Sequence, residues 1–72
     1  MPDIQHRRLL DEAIRAKRKK ERLSQERLAE KADLSTVFIS RVEREKESPS
    51  VDSLVKIAGA LRTRVRDLVR EF

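Results

Sequence analysis

The sequence predicts an all-α fold, a compact five-helix bundle with a helix-turn-helix over about residues 25–43. Three observations predict it. Apolar residues recur at spacings of three and four, the helical period, and strand-like alternation is missing. Gly and Pro are scarce, one and two in 72 residues, so few positions punctuate the chain. Two short periodic segments are separated only by Asp33-Leu34-Ser35, a turn short enough to force a steep helix crossing.

The elements follow in order. Leu10, Ala13, Ile14 and the later Leu23 mark a first helix from about Asp3 to Glu21, with Pro2 and Asp3 suited to its first turn. Asp11 and Glu12 are adjacent on an outer part of this helix and read as solvated surface. Leu28, Ala29 and Ala32 make a short second helix with Ser24 as its N-cap. Arg27 stands where a full capping box wants Glu or Gln, so that box is incomplete. Ser35 caps a third helix with Ile39 and Val42 inward. Ser48, Pro49 and Ser50 break the chain, and Ser50 caps a fourth helix. Its inner stripe is expected to be Val51, Leu54, Val55, Ala58 and Leu61, with Ile57 beside it. A fifth helix runs from about Arg64 and presents Val65, Leu68, Val69 and Phe72.

Residues 1–72 read as a single domain whose core is small enough that oligomerisation would be a natural source of stability. The apolar stripe Val65, Leu68, Val69 and Phe72 either closes the monomer core or makes a two-fold contact. The absence of cysteine removes disulfides and thiolate metal sites, and His6 alone does not make a zinc site, so no metal and no cofactor are expected. No apolar run is long enough to span a bilayer, and no signal-peptide pattern is present, so the expected location is the cytoplasm. Eighteen Lys and Arg against 13 Asp and Glu give a net charge of +5 and a pI near 10.2. That balance favours a polyanionic partner, although a surface rich in both signs would also carry it.

The third helix concentrates the functional signal. With Ala29, Leu34, Ile39 and Val42 buried, Thr36, Val37, Ser40, Arg41 and Arg44 are left on the outer face. Short side chains near the helix start and long basic ones further along suit a helix entering the major groove by its N-terminal end. Arg41 can fork onto guanine O6 and N7, or can meet phosphate alone. Val37 and the Thr36 methyl can pack on a thymine methyl, with a packing role as the alternative for Val37.

Leu23-Ser24-Gln25-Glu26-Arg27-Leu28-Ala29-Glu30-Lys31-Ala32 resembles the opening of the helix-turn-helix in Cro/C1-type (XRE-family) regulators. Ile39-Ser40-Arg41-Val42-Glu43-Arg44 resembles the end of the family's recognition helix. Pro49-Ser50 followed by Leu54, Ala58 and Leu61 resembles its fourth helix, so the likeness runs over roughly residues 10 to 69. The resemblance implies a lambda-repressor-like DNA-binding domain whose partner is double-stranded DNA, bound as a homodimer with the recognition helix in the major groove of a two-fold operator. It implies base reading by Thr36, Val37, Ser40 and Arg41, and phosphate contacts by Gln25, Arg44 and Lys46. It also implies an ion pair between Arg18 and Glu43, in place of a merely solvated Glu43.

The chain departs from the family where glycine usually ends a helix. Arg22, Asp33, Glu45 and Arg62 occupy those places. Asp tolerates the left-handed conformation fairly well. The other three either accept it at about 1 kcal/mol each or change the turn. Gly59, the only glycine, falls inside the fourth helix with no evident requirement. A protein-interaction module or antitoxin-type adaptor is the competing function, and exposed aromatic or leucine anchors on the third helix would be its mark. An enzyme is poorly supported, because no nucleophile–base set and no phosphate-cradling glycine loop occur. No membrane or small-molecule partner is evident.

Overall fold

The computed structural model describes the backbone of residues 2–69 and the side chains of residues 9–69. The helices are α1 (Pro2–Lys20), α2 (Gln25–Ala32), α3 (Thr36–Glu43), α4 (Val51–Ala60) and α5 (Val65–Val69), and no strand occurs among the described residues. Helix α2 packs on both α3 and α4, while α1 packs on α3 and α5. The α2–α3 corner is thus held from both sides.

Three serines start three helices as the sequence predicts. Ser24 Oγ accepts from the Arg27 N–H at 3.0 Å, Ser35 Oγ from Phe38 at 3.0 Å, and Ser50 Oγ from Ser53 at 3.1 Å. Each satisfies one of the N–H groups that a helix start leaves unpaired. With the capping box incomplete at α2, Arg27 pairs forward with Glu30, Nη1 to Oε1 at 2.6 Å.

Helices α1 to α4 end in one and the same way. Arg22, Asp33, Glu45 and Arg62 all take the left-handed conformation, with φ of 59°, 57°, 62° and 59°. Each end closes with a nested pair of bonds. At α1, Leu23 N–H reaches Arg18 O and Arg22 N–H reaches Lys19 O, both at 3.0 Å. Leu34 reaches Ala29 O at 2.9 Å, Lys46 reaches Arg41 O at 2.8 Å, and Thr63 reaches Ala58 O at 3.0 Å. These are Schellman turns, and they satisfy carbonyls that would otherwise be orphaned. The turns are therefore kept without glycine, and the strain falls on Arg22, Glu45 and Arg62.

The core consists of Leu10, Ile14, Leu28, Ala29, Ile39, Val42, Ile57, Ala58, Leu61 and Leu68. Leu34, which follows the α2 turn, packs against it and fills the bend, and Leu23 and Phe38 are half-buried there. Two expectations are corrected. Val51 and Val55 are not on the inner stripe of α4; they are 77% and 55% exposed. The inward stripe is Leu54, Ile57, Ala58 and Leu61, because Ile57 at the centre of the helix rotates the buried face away from positions 51 and 55. Asp11 is not solvated surface; it is 2% exposed, next to the buried Leu10 and one turn before Arg15.

Candidate nucleic-acid interface

Glu43, the last residue of α3, is 1% exposed and is the polar hub of the molecule. Arg18 grips it with two bonds, Nε to Oε2 at 2.7 Å and Nη2 to Oε1 at 3.0 Å. The third arm of the same guanidinium, Nη1, donates to Leu23 O at 2.8 Å. Gln25 Nε2 donates to Glu43 Oε1 at 3.0 Å. One carboxylate therefore ties α1, the α1–α2 turn, the start of α2 and the end of α3 into one unit. Planar bidentate pairing of this kind combines strength with fixed geometry.

Arg15 adds a second tie. Its Nη1 donates to the Glu43 backbone carbonyl at 2.9 Å, placing a cation at the negative end of α3. The same nitrogen lies 3.5 Å from Asp11 Oδ1. Asp11, Arg15 and Arg18 fall at helical spacings on the side of α1 that meets α3. Burial pushes the Asp11 carboxyl up to about 6; Arg15 opposes the shift, and Glu45, Glu43 and Glu12 add to it. Among the described residues Asp11 Oδ1 has no hydrogen-bond partner, which agrees with a carboxyl that is costly to ionise there.

This frame turns one side of α3 outward. Thr36, Val37, Arg41 and Arg44 are exposed and Ser40 is half-buried. Val37 is 68% exposed, so it packs against nothing in the core. Val37, Arg41 and Arg44 are separated by four and three residues and form one stripe, with Thr36 and Ser40 as a second beside it. Eight residues make a helix about 12 Å long, close to the width of the B-DNA major groove. Lys46 is exposed just beyond the α3 turn.

Gln25 stands at the first position of α2, where its backbone N–H lies beside the Ser24 cap. Its side-chain nitrogen already serves Glu43. An anion at this helix start would therefore meet the backbone N–H and the remaining amide hydrogen. Leu68 of the C-terminal stripe is 4% exposed in the core, and Val65 and Val69 pack half-buried against that core. Phe72 lies outside the described residues.

The sequence reading did not find three members of the site. Arg15 carries no sequence signal beyond its charge. Asp11 was readable by its spacing to Arg15 and Arg18, three residues on one helix face. Glu47 accepts from Arg41 Nε at 3.2 Å, six residues along the chain, and only the turn geometry brings the two together. Among the described residues, no group of His, Cys, Asp or Glu could hold a metal ion, and no helix is long and apolar enough to cross a membrane.

Two short helices joined by a three-residue turn, the second presenting Arg41 outward with Arg44 just past its end, define a helix-turn-helix DNA-binding domain. Comparison with known proteins agrees. The family model described as "Helix-turn-helix" (HTH_3) matches residues 14–68. The immunity repressor protein of Bacillus phage phi105 is 43% identical over 58 residues, which cover 81% of this chain and 40% of the repressor. The chain thus spans about two-fifths of that relative's length. The solved restriction-modification controller protein C.AhdI from Aeromonas hydrophila is 31% identical with a TM-score of 0.84, covering 86% of this chain and 94% of that one. The hypothetical transcription factor NHTF from Neisseria is 31% identical with a TM-score of 0.86, covering 96% and 80%. The chain belongs to the Cro/C1-type (XRE) helix-turn-helix family of DNA-binding transcriptional regulators. That is a family of regulators and not of enzymes.

Proposed function

We propose that this chain is a sequence-specific regulator that lays α3 in the major groove of a two-fold operator and works as a homodimer in the cytoplasm. The observation that carries the reading is the outward face of α3. It bears Thr36, Val37 and Arg41 in the open, while Glu43 at the same helix's end is clamped by Arg18 and Gln25. A reading helix must be rigid at its root and free at its face. Arg41 reads guanine, Val37 and the Thr36 methyl meet thymine methyls, and Ser40 adds a weakly selective hydroxyl. Arg44, Lys46 and the start of α2 at Gln25 meet phosphates and set register without reading sequence. Likeness to a phage immunity repressor supports repression as the sign of regulation.

The dimer contact is drawn from the exposed parts of Val65 and Val69 together with Phe72. Leu68 itself is buried in the core. The competing reading, a protein-interaction module or antitoxin-type adaptor, is favoured by the exposure of Val51 and Val55 on α4. The two readings part on salt. Operator binding falls steeply with ionic strength through counterion release, whereas apolar docking does not.

Arg41→Ala tests base reading. It is expected to relax preference at one base pair and cost about 1–3 kcal/mol on the preferred sequence. An equal loss on every sequence would reduce Arg41 to a phosphate contact.

A further inference from the structure

Arg41 does not stand alone on the reading face. Its Nε donates to Glu47 Oε1 at 3.2 Å, and both side chains are partly open to solvent, 50% and 40%. The approach is built by the backbone. Arg41's own carbonyl accepts from Lys46 N–H at 2.8 Å and from Arg44 N–H at 3.2 Å. Glu45, left-handed at φ 62°, donates to Val42 O at 3.2 Å and turns the chain back along α3. Glu47 leaves this closed turn directly beside the Arg41 side chain. Three backbone hydrogen bonds thus set the register at which Glu47 follows Arg41.

The geometry points to Glu47 as the positioning residue for base recognition by Arg41. This rests on the reading of Arg41 as the guanine contact. The carboxylate takes the Nε edge of the guanidinium. Nη1 and Nη2 have no partner among the described residues and are left as an end-on fork, the shape that meets guanine O6 and N7 in parallel. A free arginine must lose its rotamer freedom on binding, and one already held by Glu47 loses less. The carboxylate also repels phosphate. Glu47 therefore withholds non-specific affinity while sharpening preference at one base pair.

The test measures Kd of the full chain for its selected site and for that site with each base pair changed, using wild type, Arg41→Ala, Glu47→Ala, Glu47→Gln and the Arg41/Glu47 double variant. Glu47→Ala is expected to lower discrimination on the order of two- to tenfold, only at the base pair that Arg41→Ala relaxes. Its binding to non-specific DNA should be equal or stronger. Glu47→Gln, which keeps an oxygen for Nε, should restore part of the discrimination. In the Arg41→Ala background, Glu47→Ala should remove nothing further. Arg41→Ala acting at one base pair while Glu47→Ala changes every sequence by one factor would overturn this inference and leave the reading of Arg41 standing. If Arg41→Ala itself acts uniformly, both fall. Unchanged melting of the Glu47 variants separates either result from a folding defect.

Discussion

The most unusual residue is Asp11. Burial in a nearly dry site, with Glu45, Glu43 and Glu12 adding to the effect and Arg15 opposing it, pushes this carboxyl up to about 6. The sign of the linkage follows. The folded state binds this proton more tightly than the unfolded chain, whose Asp titrates near 3.8. The contribution of Asp11 is therefore least unfavourable below pH 4, and stability is lost as pH rises through 6. Asp11→Asn should equal wild type in urea stability near pH 4 and exceed it on the order of 2 kcal/mol at pH 7. Parallel pH profiles for the two proteins would show that the site is wet. Gly59 is the second residue with a clear outcome. An added Cβ there meets nothing within 4 Å, so Gly59→Ala should raise stability by about 0.5–1 kcal/mol through helix propensity alone.

At the scale of elements, the helices and their starts were legible because Ser24, Ser35 and Ser50 each precede a periodic run. A cap is a local device that one residue can announce. The helix ends were half legible. Arg22, Asp33, Glu45 and Arg62 stand where the left-handed conformation is needed, but whether the chain would pay its cost depends on both nested bonds forming. Arg22→Gly and Arg62→Gly should each add up to about 1 kcal/mol in denaturant melts, while Asp33→Gly should change little. The face of α4 was misread because Val51 and Val55 fit an apolar stripe as well as Ile57 does; only packing against α2 decides which side turns in. The base-reading candidates were legible from the outward stripe of α3. The partners of Arg41 and Glu43 across the fold were legible only where a family resemblance pointed to Arg18. Removing one side of that buried pair, by Glu43→Ala or Arg18→Ala, should cost about 3–5 kcal/mol, because the other charge is left stranded. Urea unfolding measures it.

At the scale of the molecule, a 72-residue chain puts its binding frame and its stability in the same residues. Ile14, Leu28, Ile39, Ile57 and Leu61 are fully buried, and the Glu43 hub joins that core to the reading helix. Stability and DNA affinity are then coupled at Arg18, Gln25 and Glu43, and separable at Thr36, Val37 and Arg41, which are exposed, Arg41 pairing with Glu47. The dimer is testable at this scale as well. Val65→Asp should lower the sedimenting mass while the helical spectrum persists, whereas Leu68→Asp should unfold the monomer. An unchanged mass for Val65→Asp would remove α5 from the interface. The central claim is that α3 reads a two-fold operator in the major groove. Selection of bound sequences from a random duplex pool by the full chain tests it most directly. The account predicts a palindromic consensus with half-sites about 10 base pairs apart, centre to centre, and a guanine that disappears with Arg41→Ala. Recovery of no consensus, or of a non-palindromic one indifferent to Arg41, would contradict it.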